Sequence, residues 1–166
     1  LKTQFLPYAL AWSLSALWVY ITAGCAWAAI LSTSSVPISI VGACCILAWG
    51  VGFIIETVAD WQKYAFRKTY VEKDAFLATG LWAYSRHPNY FGEIVMWFAL
   101  AGLALPQLEG LQLATLVSPV LLYVLLQYIS GVNLLEKQAD IKFGARKDYQ
   151  EYKRRVPVLV PWIGGH

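Results

Sequence analysis

Two short stretches of this chain hold side chains that could do chemistry. In the first, Glu56, Asp60, Lys63 and Arg67 follow one another at spacings of four, three and four. On a helix that spacing aligns all four on one face. They form a solvated juxtamembrane stripe of ion pairs or the wall of a polar cavity, with Arg67 available to phosphate and the acids to hydroxyl or amide donors. The second stretch is Arg86-His87-Pro88-Asn89-Tyr90-Phe91-Gly92-Glu93. Pro88 disfavours helix at His87 and suits the first turn of a following helix, which puts Arg86 and His87 at its mouth and Asn89 in its opening turn. Glu93 follows Asn89 by four residues on the same face, and a carboxylate one turn inside an apolar helix needs partners. A third group, in the tail, combines Asn133, Glu136, Lys137 and Asp140 at helical spacing with Tyr149, Tyr152, Lys153, Arg154 and Arg155. An amphipathic segment on an anionic membrane surface is one reading of that tail. Convergence with the other basic groups on a polyanion such as a dinucleotide phosphate is the other.

The elements that must position these residues are apolar. Of 166 residues 58% are hydrophobic and only 14% charged, against about a quarter charged in soluble domains, so the composition points to a single all-α integral membrane domain over 1–166. No acid or base separates Lys2 from Glu56, and no lysine or arginine separates Arg86 from Lys137. A membrane crossing takes roughly 20 apolar residues. Residues 7–31, 36–55, 90–105 and 111–131 give four expected spans, with Ser118-Pro119 a kink in the last. Short turns at 32–35 and 106–110 would join them as two helical hairpins, with amphipathic segments outside the bilayer. Lys2, the 56–90 segment and the tail then share one face, which the positive-inside rule makes cytosolic or its equivalent. The net charge of +3, with acids interleaved among the bases, argues against nucleic acid. Cys25, Cys44 and Cys45 lie in apolar spans as small buried groups, and no metal-ligand spacing occurs. Gly50-Val51-Gly52 lacks the third glycine of a dinucleotide fingerprint, and no Walker loop, HExxH or nucleophile elbow is present. Any nucleotide must be held by helices and their polar caps. The chain starts at Leu1, so an upstream part of the gene product is expected to be missing.

The run Gly80-Leu81-Trp82-Ala83-Tyr84-Ser85-Arg86-His87-Pro88-Asn89-Tyr90-Phe91-Gly92-Glu93, with Ala59-Asp60-Trp61-Gln62-Lys63 through Lys68 before it and Val132-Asn133-Leu134-Leu135-Glu136-Lys137 and Tyr149 to Trp162 after it, resembles the steroid 5-alpha-reductase superfamily, specifically its DUF1295 branch. The resemblance implies NADPH in a cytosol-facing pocket and reduction of a conjugated carbon–carbon double bond in a sterol-like or other lipid. By the same resemblance Glu56, Asp60, Arg67, Arg86, His87, Asn89 and Glu93 would form the cofactor site, with Glu136, Tyr152 and Arg154 contributing from the tail. No catalytic proton donor is assigned, although Tyr84 and Tyr90 fall near the pocket mouth. The Arg-His-Pro-x-Tyr core is similar also to isoprenylcysteine carboxyl methyltransferases, which use S-adenosylmethionine. Members commonly have more spans, and the helices that hold the substrate carbonyl lie upstream of anything present here. A third expectation is therefore a non-catalytic subunit among other membrane subunits.

Overall fold

The computed structural model describes residues 5–33, 36–69, 75–129 and 131–162, and contains no strand among them. Seven α-helices follow in order: α1 Phe5–Thr22, α2 Gly24–Leu31, α3 Ile40–Thr69, α4 Pro88–Ala104, α5 Val117–Val124, α6 Val132–Phe143 and α7 Lys147–Arg155. Tight 3₁₀ turns cover Gly80–Ala83, Leu105–Gln107 and Gly110–Leu116, and a wider π turn, Leu125–Ile129, continues α5. Three helical runs, Phe5–Thr22, Ile40–Thr69 and Gly110–Phe143, are long and apolar enough to cross a membrane. The expected span at 90–105 becomes α4, whose 17 residues rise about 25 Å at 1.5 Å each, short of the ~30 Å hydrocarbon core. Lys2, part of the expected 32–35 turn and Ser130 lie outside the described residues.

Two of the expected spans are interrupted. The first breaks at Ala23, where the Thr22 hydroxyl bonds back to the Trp18 and Val19 carbonyls at 3.1 Å each and Gly24 follows, a combination that loosens a helix. In the last, Pro119 stands in the opening turn of α5 and cannot donate to the residue four before it. The chain there winds as 3₁₀, then α, then π.

The helix pairing also departs from two sequential hairpins. The closest packing is between antiparallel α3 and α4, which lie in different hairpins of the sequence reading. Small residues permit it: a methyl on Gly52 would sit 2.8 Å from the Gly92 carbonyl oxygen, and one on Gly102 2.8 Å from the Cys45 sulfur. Lipid supplies no hydrophobic force between helices, so close backbone approach governs the pairing. On α4's other side α2 seats Cys25 against Ala101, Ala104 and Leu108, while α1 packs on α5. Cys44, expected to be buried, is exposed on the outer face of α3.

At the polar end α3 outruns α4, and the 3₁₀ turn Gly80–Ala83 lies along the excess. Trp82 Nε1 donates to the Ala59 carbonyl at 3.1 Å, and the Leu81 amide donates to Gln62 Oε1 at 3.0 Å. Gly80 allows this at φ +65°, with a Cβ position only 2.5 Å from Gln62 Nε2. Gly80→Ala combines left-handed backbone strain of roughly 1–2 kcal/mol with displacement of the Gln62 hydrogen bond, worth about 1 kcal/mol. Thermal melting in detergent is expected to show the loss, and a Gln62→Ala background to remove the steric part while leaving the backbone part.

Candidate functional site

A cavity of about 420 Å³ opens where the end of α3 meets the 75–87 segment, α6 and α7. Aromatic packing shapes it. Phe76 inserts between the two tail helices, its ring centroid 5.7 Å from Phe143, 5.2 Å from Tyr149 and 5.5 Å from Tyr152. Helix α7 turns its Tyr149 and Tyr152 face inward, with Val156 just beyond its end continuing the same buried row, and leaves its charged face outside. Tyr152 donates to the Trp82 carbonyl at 2.8 Å, tying α7 to the turn that caps α3. Burial pushes the Tyr149 phenol up to about 12 and raises that of Tyr152 as well. Both therefore remain hydrogen-bond donors at neutral pH.

Cations from three separate stretches reach this cavity: Lys63 and Arg67 from α3, Arg86 from the loop before α4, and Lys142 from α6. The Lys63 ammonium lies 5.4 Å from the Trp82 ring centroid and that of Lys142 4.7 Å from Phe143, so the aromatic walls share their charge. Facing them is a single lining carboxylate, Glu136. It pairs with the Arg86 guanidinium, lies 3.0 Å from His87 Nε2 and 3.6 Å from Lys153 Nζ, while Lys153 also reaches Asp140 at 2.6 Å. Arg86 Nε is buried with no partner among the described residues. A strap formed by 156–162 holds the loop from behind. The Arg86 amide donates to the Pro157 carbonyl at 2.9 Å, the Ser85 hydroxyl to that of Leu159 at 2.7 Å, and the Trp162 amide to that of Tyr84 at 3.1 Å. Pro88 then begins α4 with His87 as its N-cap residue, as its position in the sequence predicts.

Of the expected site residues, Arg67, Arg86, His87, Glu136 and Tyr152 line this cavity. Glu56, Asp60, Asn89 and Glu93 are absent from its lining and belong instead to the α3–α4 contact further along both helices. Arg154 does not join either group: it lies on the outward face of α7, beside a surface groove with Arg146, Lys147 and Gln150. The inward i, i+3, i+7 set of Tyr149, Tyr152 and Val156 decides that orientation and was visible in the sequence. Tyr90 stacks its ring parallel to His87 at 5.6 Å, and Tyr84 is partly exposed. Sequence reasoning missed Phe76, Trp82 and Lys142 as wall residues, and Lys63, placed in the stripe, was not carried into the site. The i, i+3, i+7 spacing of Glu136, Ala139 and Phe143 was the available signal for the α6 wall.

A family model described as a protein of unknown function, DUF1295, matches residues 2–156. A protein-S-isoprenylcysteine O-methyltransferase of Saccharomyces cerevisiae (strain ATCC 204508 / S288c) is 35% identical over 97 residues, or 58% of this chain. The aligned part spans 37% of that relative's length. No solved structure matches.

Proposed function

Because the chain belongs to the DUF1295 family, we propose that it is a membrane enzyme that binds NADPH in the cationic cavity and reduces a conjugated double bond of a sterol-like or other lipid. The convergence of Lys63, Arg67, Arg86 and Lys142 on one aromatic-walled cavity carries this reading. Four cations facing one carboxylate suit a polyanion with a flat base, and the unpartnered Arg86 Nε is a donor in want of an acceptor. In such a complex Arg67 and Lys63 would neutralise phosphate, Arg86 would donate to it, and Trp82 or Phe76 would offer a stacking face. Bound NADPH supplies hydride, while the chain's own part is orientation and charge placement. Glu136 fixes Arg86 and His87, and the strap fixes the loop that carries both. In this reading α4 is a short fourth crossing, and the basic segments face the cytosol or its equivalent.

The similarity to the yeast methyltransferase favours a second reading, in which the same cavity takes S-adenosylmethionine and a methyl group passes to a lipid-like acceptor. Calorimetric titration of the purified chain in nanodiscs with each cofactor separates the two. NADPH is expected to bind, and Arg67→Ala to weaken it about tenfold or more, the scale of a charge-assisted contact. Binding of S-adenosylmethionine with none of NADPH would establish the methyltransferase reading. Binding of neither would leave a non-catalytic membrane subunit.

A further inference from the structure

The glycines at the crossing fix the register of α3 against α4. A methyl on Gly92 would meet Gly52 and Glu56, and one on Gly102 would meet Cys45. In this antiparallel pair Pro88 therefore stands level with Ala59 and Asp60, and Gln107 with Ser39 and Ile40. Both levels are polar boundaries. At the second, the Ser32 hydroxyl donates to the Gln107 carbonyl at 2.8 Å, and Ser39 Oγ accepts from the Gly42 amide at 3.2 Å. At the first, the charged part of α3 begins: Glu56 is the only acid or base from Ile40 to Ala59, and Asp60, Lys63, Arg67 and Lys68 follow. From Ile40 to Asp60 the helix rises about 30 Å at 1.5 Å per residue, the thickness of a hydrocarbon core.

The strap 156–162 lies at the edge of that core. The loop before α4 is tied to the Ala59 level at both ends, through the Trp82 bond to the Ala59 carbonyl and through Pro88, so the residues between stay near it. Pro157, Leu159 and Trp162 of the strap bond to Arg86, Ser85 and Tyr84 of this loop and share its depth. That depth is the headgroup layer, about 5–8 Å thick on each side of the core. The strap's composition suits it. Pro157 and Pro161 have no amide hydrogen to leave unsatisfied. Val158 and Leu159 are half-buried, while Val160 and Trp162, two residues apart, turn outward with 63% and 66% of their surface exposed. Trp61 and Tyr64 of α3 are exposed at a similar depth, where amphipathic rings concentrate at a membrane interface. Immediately before the strap, Arg154 and Arg155 are exposed as well.

We infer that the strap is a bilayer contact, in which Val160 and Trp162 enter the boundary between headgroups and acyl chains of an anionic leaflet and Arg154 and Arg155 meet its phosphates. Depth identifies the occupant, because an apolar surface at that level borders lipid, and the adjacent guanidiniums match lipid phosphate in charge. Helix α7 gives its own apolar face to Phe76 and Phe143, so the strap, rather than an amphipathic helix, carries the apolar part of the contact. The contact also reaches the cavity. Strap carbonyls accept from the Ser85 hydroxyl and the Arg86 amide, and the Ser85 oxygen accepts in turn from the His87 amide at 3.2 Å. Seating the strap on the membrane therefore steadies the loop that presents Arg86 and His87, whichever cofactor the cavity takes.

The full chain is placed in phosphatidylglycerol nanodiscs containing lipid brominated either near the acyl carbonyls or near the terminal methyls. The emission of Trp162 is taken as the difference between wild type and Trp162→Phe, and each further variant is paired with its own Trp162→Phe version. That emission is expected to be quenched more strongly by bromine near the carbonyls and to be shielded from acrylamide in the water. Val160→Asp puts a charge at the boundary and should abolish the bromine quenching while admitting acrylamide. Arg154→Glu combined with Arg155→Glu should weaken the bromine quenching. Quenching of the wild type by acrylamide alone would place the strap in water, and shielding from acrylamide and both lipids would place it under another protein chain. Either result overturns the inference, as does stronger quenching from the terminal methyls. Bromine quenching that is unchanged in Val160→Asp or in the double arginine variant overturns it equally.

Discussion

Replacing Glu136 with alanine is expected to cost about 2 kcal/mol of stability, the scale for losing hydrogen bonds to charged groups in a partly buried setting. The carboxylate is 19% exposed and the Arg86 side chain 10%, so both charges are only partly hydrated. Without Glu136, Arg86 and His87 lose their acidic partner while Lys63, Arg67 and Lys142 still surround the same space. The loss is expected to depend on charge more than on shape. Glu136→Gln keeps an oxygen for Arg86 and should cost less, and adding Arg86→Ala to Glu136→Ala should recover part of the deficit. A double-mutant cycle on these two positions should give a coupling of at least 1 kcal/mol. Unfolding in mixed micelles can be followed through Trp82, whose ring borders the cavity. If Glu136→Ala lies within about 0.5 kcal/mol of wild type, the range of an uninvolved surface change, the pair carries no structural weight.

Much of this site was legible before any coordinates. The 4-3-4 spacing of Glu56, Asp60, Lys63 and Arg67 implied a helix running out of the apolar block, and α3 extends to Thr69. Pro88 implied a helix start, and α4 begins there. What periodicity could not show is that the stripe serves two places. Helix α3 has 30 residues and α4 has 17, so the first half of the stripe faces α4 and the second half passes beyond its end toward α6 and α7. That division depends on relative helix length and on tertiary pairing, neither of which a single helix records. The same holds for Arg154, where tail basicity suggested a ligand role but the aromatic row on α7 faces it outward. The pairing of α3 with α4 was carried by glycines, which add nothing to a hydropathy profile and so leave no mark in an argument from apolar spans.

Those glycines make the second large prediction. Gly92→Leu is expected to abolish the folded protein, and Gly92→Ala to cost roughly 2–3 kcal/mol, the upper range for an overpacked contact. A methyl at Gly92 would stand 2.6 Å from the Gly52 carbonyl oxygen and 2.8 Å from the Glu56 amide nitrogen. Both atoms belong to a backbone that cannot rotate aside as a flexible side chain would, so the helices must separate. Gly50 is the internal control. It lies two residues before Gly52 on the same helix, and a methyl there meets nothing within 4 Å. Gly50→Ala should therefore be neutral or stabilising by up to about 1 kcal/mol, since alanine restricts the unfolded chain without a clash. The contrast isolates sterics at the crossing from helix propensity, which both substitutions improve alike. Separation of α3 from α4 would also carry Asn89 and Glu93 away from Glu56, whose amide nitrogen the Gly92 methyl would meet. Melting curves for the two alanine variants that coincide would contradict the close crossing of α3 and α4.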